Sequence, residues 1–455
     1  MAKVPTSAWI CSWIRSTRPE HVTFADHSLP SIGEAQERLA GGELSAADLM
    51  EAVLSRIDEA EPEINAWIHL DREAALAEAK AAGKRKRRPP LFGIPICVKD
   101  VIDVAGMPTR CGSRNWSRTP VSDAESVARL RKAGAIVVGK GNTNEFAFGI
   151  DGRNSHWGDC RNPHDPERVS GGSSSGPAAA VASGMALGGL GTDTSGSIRV
   201  PAALCGVVGV RPTLGLVPMN GVFPLAKSYD VAGPIARTAE DAASMMSALV
   251  GDPGLKPEPP AEGLRIAVAG SLTSRAGADV ALLGAKAKEW LAGEGATLVD
   301  AEIPDPAITD EVHRVIQLYE VAKVHAAWFE TLKGEYEDQV RNRLEEARKI
   351  TSTEYERAQE ERERIVARFS EVMDGCDVLV APTTPVTAPL LDGEPALQRT
   401  TLLSCVTSFS QLGWPVVTVP IGMAGGLPAG LQIVGLPGSE SNLLGVASKL
   451  EAFYH

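Results

Sequence analysis

The sequence predicts an α/β fold: one large domain in which a parallel or mixed sheet carries helices on its faces. Three observations lead there. Residues 91–142 alternate strand, helix and strand, with "LFGIPICVKD", "SVARLRKAG" and "AIVVGKGN" in turn. Later segments keep that rhythm with no internal repeat and no long linker. At 455 residues, 44% apolar and 22% charged, the chain can bury a sizeable core.

The elements follow in order. Ser45 and Asp48 form a capping-box pattern before the amphipathic helix "DLMEAVLSRIDEAEP", and "DREAALAEAKAAGKR" is a second, alanine-rich helix. "KRKRRPP", from Lys84, reads as a solvated loop entering a strand. That strand, within "LFGIPICVKD", is apolar until it ends at Lys99. "LCGVVGVRPT" is another strand, and "TAEDAASMMSALVG" a helix with a threonine cap and a glycine stop. "LRIAVAG" and "ATLVDAEIP" are strands around the helix "ADVALLGAKAKEWLAG". Residues 310–373 read as long helices rich in Glu and Arg, and "DVLVAPTTP", "PVVTVPIG" and "AGLQIVG" as late strands. Residues 1–29 are set apart as an N-terminal extension, leaving 30–455 as the domain.

Charge and cysteine usage narrow the function. A formal net charge of −12 disfavours nucleic acid or an anionic membrane as the main partner. No run of 18 apolar residues occurs, so no membrane span is expected. Seven cysteines without C-x-x-C spacing point to a reduced, cytoplasmic protein with no zinc site.

Two motifs match a pattern but not its context. "GAIVVGKG", 134–141, fits the front of a phosphate-binding loop, yet Gly141 stands where a Mg²⁺-binding hydroxyl belongs, and the loop positions suit a strand. "GSSSG" centres Ser174 in a nucleophile-elbow pattern, but a polar, proline-bearing loop precedes it instead of a strand. Its histidine would have to be His313, His325 or His455. The first two read as surface residues of charged helices, and the third is terminal.

A serine nucleophile without histidine needs another base, and a lysine serves once burial has removed its charge. Lys99, after the apolar run "IPICV", is the candidate; Lys140, between glycines at an expected exposed turn, is a weaker one. A hydroxyl between lysine and nucleophile would carry the proton in both directions. Two glycine-serine clusters, "VSGGSSSGP" and "GTDTSGSIRVP", supply such hydroxyls. Glycine around Ser197 lets the backbone N–H groups of Thr194, Ser195, Gly196 and Ser197 turn inward as an oxyanion hole, and "SIRVPAALCG" would start a helix behind them. Pattern alone does not choose Ser197 over Ser173, Ser174 or Ser175.

"GIPICVKD", "GGSSSGPAAAVASG", "GTDTSGSIRVPAALCGVVGVRPT" and "SYDVAGPIART" together resemble the amidase signature family. "AGAIVVGKGNTNEFAFG", "RNPHD", "VLVAPTTP" and "GWPVVTVPIG" extend the resemblance from about residue 31 to 452. It implies a single α/β/α sandwich with a mixed, mostly parallel central sheet. It also implies a Ser–cis-Ser–Lys triad, with the base on Lys99, the bridging serine on Ser173 and the nucleophile on Ser197. The reaction would be acyl transfer from an amide-type carbonyl, with no metal and no organic cofactor. The partner would be a small amide or carbamate, and the enzyme a monomer or homodimer. "EFAFG" resembles the segment lining the acyl site, which puts Ala147, Phe148 and Gly149 there, and Phe146, Phe148 and Trp414 would make the pocket mostly apolar. Such a pocket suits aryl or alkyl amides, anilides and carbamates (urethanes). The alternatives are the glutaminase subunit of a tRNA-dependent amidotransferase, a ureido or biuret hydrolase, and an idle binding protein on the same fold. Two positions depart from the family pattern. Ser195 stands where glycine is common, and "GKGN" replaces "GKTN" at Gly141.

Overall fold

The computed structural model describes residues 23–26, 28–83, 88–259 and 263–454. Most of the expected extension, the basic run Lys84–Arg87 and His455 lie outside the described residues. The last part of the extension is docked: Phe24 and Ala25 donate backbone N–H groups to the Pro163 carbonyl, and Asp26 donates to that of Ala182. No described helix is long and apolar enough to cross a membrane.

One eleven-stranded sheet organises the chain. Its strands are β1 (Trp67–Leu70), β2 (Pro95–Lys99), β3 (Ile136–Gly141), β6 (Gly188–Asp193), β7 (Val208–Arg211), β8 (Val231–Ala236), β9 (Arg265–Ala269), β10 (Thr297–Ala301), β11 (Val378–Pro382), β12 (Val416–Ala424) and β13 (Leu427–Val434), with β4 (Arg161–Asn162) and β5 (Asp165–Val169) forming a separate hairpin. The order across the sheet is β1-β3-β2-β6-β8-β7-β12-β13-β11-β9-β10.

The α/β class and the mixed sheet are as expected, but the predominance of parallel pairs is not found. Parallel pairing is confined to β3-β2-β6 and β11-β9-β10. Everything between, from β6 through β8, β7, β12 and β13 to β11, runs antiparallel. The reason is local: the βαβ rhythm that predicts parallel neighbours holds only toward the sheet's ends, whereas β12 and β13 form a hairpin joined by Gly425 and Gly426.

Four helices reach the candidate site: α1 (Ser175–Ala182), α2 (Arg199–Cys205), α3 (Pro306–His325) and α4 (Asp338–Ala347). The Thr238 cap acts as read, its hydroxyl accepting from Asp241 N–H, while Ser45 makes half of the expected box: its hydroxyl accepts from Asp48 N–H and donates to the Asp48 carboxylate. α1 lies on the sheet because half of β6 is glycine. A Cβ at Gly189 would stand 3.0 Å from Pro177 Cβ, and one at Gly191 would stand 2.8 Å from Ser174 Oγ. That close approach sets the serine cluster at the head of α1 directly over the end of β6.

Candidate active site

Lys99 closes β2 with no solvent exposure. Its Nζ lies 2.8 Å from Ser173 Oγ and 2.8 Å from Thr192 Oγ1, with the Thr192 carbonyl at 3.4 Å. Burial pushes the amine down to about 7, against the opposing pull of Asp193 and Asp230. A large share of the amine is therefore uncharged near neutral pH.

Burial pushes Lys140 down as well, but Asp100 beside it pulls the other way. Lys140 is not at an exposed turn but wholly buried in β3, with Nζ 3.3 Å from Asp100 Oδ1 and donating to Thr109 Oγ1 at 3.0 Å. Its glycine neighbours serve close packing instead of chain reversal. A Cβ at Gly139 would meet the His69 carbonyl oxygen at 2.1 Å, and one at Gly141 would meet Cys97 Sγ at 2.6 Å. The latter also supplies a reason for the unusual Gly141.

The three clustered serines differ in their contacts. Ser173 follows a cis peptide bond from Gly172, and its hydroxyl is the one bonded to Lys99. Ser174 Oγ is occupied by the backbone of Thr192, bonding the carbonyl and the N–H at 3.2 Å each. Ser175 Oγ donates to the Asn142 carbonyl at 3.1 Å. No strand precedes Ser174 directly, so the elbow context is absent.

Ser197 sits just ahead of α2, and its carbonyl accepts the Ser174 N–H at 3.0 Å. The two serine clusters are thereby stitched together through their main chains. The Ser197 hydroxyl makes no hydrogen bond within 3.5 Å to any described residue, Ser173 included. The loop leading to it is built around Asp193, whose carboxylate pairs with Arg199 at 3.0 Å and Arg211 at 3.1 Å, all three without exposure. Burial alone would raise this carboxyl, but the two guanidinium groups hold it well below the usual range. Arg199 is itself gripped from the end of the chain, donating to the Val406 carbonyl at 3.1 Å, Gln432 Oε1 at 3.0 Å and Ser410 Oγ at 2.7 Å.

The expected oxyanion donors divide. Gly196 N–H is turned away from that task, donating to Asp193 Oδ1 at 2.8 Å. Thr194, Ser195 and Ser197 keep N–H groups with no such side-chain acceptor. The positive φ of this loop, 112°, falls on Gly196 and not on Ser195, so the serine at 195 carries no backbone penalty. Thr194 Oγ1 donates to Asp230 Oδ1 at 2.6 Å, and burial raises that carboxyl to about 6 against this hydrogen bond. Ser195 Oγ accepts from Gln317 Nε2 at 2.7 Å and lies 3.3 Å from His313 Nε2.

His313 and His325, read as surface residues, are both buried in α3, where burial pushes their imidazoles down to about 3 and about 4. The charged helix turns its other faces to water.

The segment Ala147–Gly149 is docked beside Ser173, since the next residue, Ile150, accepts the Gly172 N–H at 2.7 Å. Phe146 and Ala147 both take positive φ, 51° and 58°. Phe146 packs in an aromatic cluster with Phe223, His325 and Tyr336, at centroid distances of 5.4, 4.8 and 5.6 Å. The Phe148 ring is covered by the Arg343 guanidinium of α4, 3.4 Å from its centroid, and the Phe148 carbonyl accepts from Arg343 at 2.6 Å. Trp414 belongs to a separate apolar cluster with Tyr229 and Phe409. The apolar pocket expected from Phe146, Phe148 and Trp414 is therefore not assembled as read. Thr192, Asp193, Arg211, Asp230 and Arg343 were not read as site residues. Asp193 and Arg199 did lie inside a quoted motif, but a partnership six residues apart through a loop has no sequence signature.

The chain is similar to known proteins over most of its length. A family model described as amidase matches residues 48–444. A curated relative, the A-type polypeptide of the glutamyl-tRNA(Gln) amidotransferase of Roseiflexus castenholzii, is 36% identical over 461 residues, covering 91% of this chain and 94% of the relative. A crystal structure of an amidase superposes with a TM-score of 0.89 at 34% identity, covering 94% of this chain and 100% of that one. The native peptide amidase of Stenotrophomonas maltophilia gives a TM-score of 0.81 at 32% identity, with 93% and 96% covered.

Proposed function

The chain belongs to the amidase signature family of C–N hydrolases, and from that premise we propose that it cleaves small amide-type substrates through an acyl-enzyme on Ser197. The observation that carries the mechanism is the buried 2.8 Å contact between Lys99 Nζ and Ser173 Oγ, with the amine brought down to about 7. Neutral Lys99 takes the Ser173 proton as Ser173 takes that of Ser197. Ser197 Oγ then bonds to the substrate carbonyl carbon, and the oxyanion is received by N–H groups of Thr194, Ser195 and Ser197. Collapse breaks the C–N bond, and the amine leaves with the proton returned along the same path. Water repeats the sequence and releases the acid.

Aryl and alkyl amides, anilides and carbamates are the proposed substrates, supported by the ring cluster around Phe146, the residue before the Ala147–Gly149 segment, in place of the pocket read from Phe146, Phe148 and Trp414. The glutaminase subunit of a tRNA-dependent amidotransferase is the second reading. It is favoured by Arg343, which makes no ion pair with a described residue and could hold a carboxylate such as that of glutamine, and by the names of the curated relatives. A ureido or biuret substrate would use the same nucleophile.

The test is a panel of anilides, primary amides, ureas, aryl carbamates and glutamine on the purified chain, with a fluorophosphonate probe on wild type and Ser197→Ala. Hydrolysis of anilides or carbamates by the chain alone, with labelling lost in Ser197→Ala, is the expected result. Glutamine turnover only in the presence of a second subunit would replace the first reading by the second. Labelling that persists in Ser197→Ala would move the nucleophile elsewhere.

A further inference from the structure

We infer that Gln317 and His313 are positioning residues for the nucleophile loop, and that they act through the hydroxyl of Ser195. This rests on Ser197 being the nucleophile. Both side chains project from α3 one turn apart, each with no more than 4% exposure. Gln317 gives an N–H to Ser195 Oγ at 2.7 Å, while His313 Nε2 lies 3.3 Å from that oxygen and 3.5 Å from the Thr194 carbonyl. The contacts converge on the stretch between Asp193, which anchors one end of the loop, and Ser197, which must be held at the other.

The brace has a firm base. The His313 ring is stacked on Tyr229 at 4.5 Å with 15° between the planes. The start of α3 is tied down where Gln411 Nε2 donates to the Thr309 carbonyl at 2.6 Å and Thr309 Oγ1 meets Ser408 Oγ at 2.7 Å. Further along, Glu320 accepts the Ser228 N–H at 2.9 Å. Because His313 stays neutral, the brace adds no charge against the nucleophile loop.

Glycine at 196 gives the loop backbone freedom, which is opposed to the preorganised N–H geometry that an oxyanion site requires. A hydroxyl at 195 supplies a handle by which α3 removes that freedom, and a glycine there would leave α3 only the contact of His313 with the Thr194 carbonyl. Ser195 is thus an adaptation of this chain's loop to this chain's α3.

The experiment is a double-mutant cycle of Ser195→Gly and Gln317→Leu in the full chain, read as kcat and KM on an amide that the wild type hydrolyses. Each single variant should lose about tenfold in kcat, the worth of one hydrogen bond, with KM moved by less than about twofold. The double variant should be no slower than Ser195→Gly, since that variant already removes the Gln317 contact along with the one to His313. Wild-type kcat in Ser195→Gly, or losses that multiply in the double variant, would overturn the inference. Should Ser195→Gly fail to fold, Ser195→Ala takes its place in the cycle. Failure of the nucleophile assignment is seen separately, as fluorophosphonate labelling that survives Ser197→Ala; failure of the brace leaves that labelling pattern intact.

Discussion

Lys99 and Lys140 stand on neighbouring parallel strands, both wholly buried, and Lys140 alone has a carboxylate within ion-pair distance, Asp100 at 3.3 Å. Two lysines of equal burial thereby acquire different chemistry. The paired one keeps a reason to hold its proton. Lys99 faces two hydroxyls and a carbonyl, which accept hydrogen bonds but bring no full charge.

The first expectation is kinetic. With the Lys99 amine brought down to about 7, kcat/KM should fall as pH drops through that value, as the base becomes protonated. A pH–rate profile measured from 5 to 9 checks this. A rate that stays level well into acid would exclude a neutral lysine base.

The second is thermodynamic. The folded value of Lys99 is depressed below its ordinary value near 10.5, so between about 7 and 10.5 the unfolded chain binds the proton and the folded chain releases it. Stability from this residue therefore rises with pH across that window, and the cost of the buried amine is fully present below it. Lys99→Met should be inactive but more stable than wild type at pH 7. Its advantage should shrink by about 1.4 kcal/mol per pH unit as pH rises through the window. Urea unfolding of both proteins at several pH values reads the difference, and a constant gap would refute it.

The serine cluster gives a third. Ser173→Ala removes the hydroxyl bonded to Lys99 and should lower kcat by about 10² to 10⁴. Ser175→Ala removes only a bond to the Asn142 carbonyl and should cost stability of about 1 kcal/mol with activity nearly kept. Equal losses of activity in the two variants would remove the proposed relay.

The fourth concerns the loop's anchor. Asp193→Asn leaves Arg199 and Arg211 buried without a counter-charge and should destabilise the fold by about 3–5 kcal/mol. Thermal unfolding measures it. A variant within about 1 kcal/mol of wild type would show that the loop is held by other contacts.

How much of this was legible depended on whether the signal was local. The strand ending in Lys99 could be read because an apolar run closing on a lysine is a local pattern. β6 could not, since its glycines carry no β signal, and their value appears only with Pro177 and Ser174 laid against them. The same cause hid Lys140: glycines that admit a neighbouring chain look, in one dimension, like glycines that reverse direction. His313 and His325 were misjudged because the charged residues around them cover the faces of α3 turned to water. Residue patterns alone could not separate Ser173 from Ser174 and Ser175. The family resemblance did, and the contact with Lys99 gives that choice a physical basis.

The grip on Arg199 has a consequence for synthesis. Lys99, Ser173 and Ser197 have all left the ribosome while Ser410 and Gln432 are still to be made, and those late residues complete the cage around Arg199 and so around the Asp193 loop. On the proposed mechanism, a nascent or prematurely terminated polypeptide would hold every reacting group and still lack the side chains that hold Arg199 and the Asp193 loop in place.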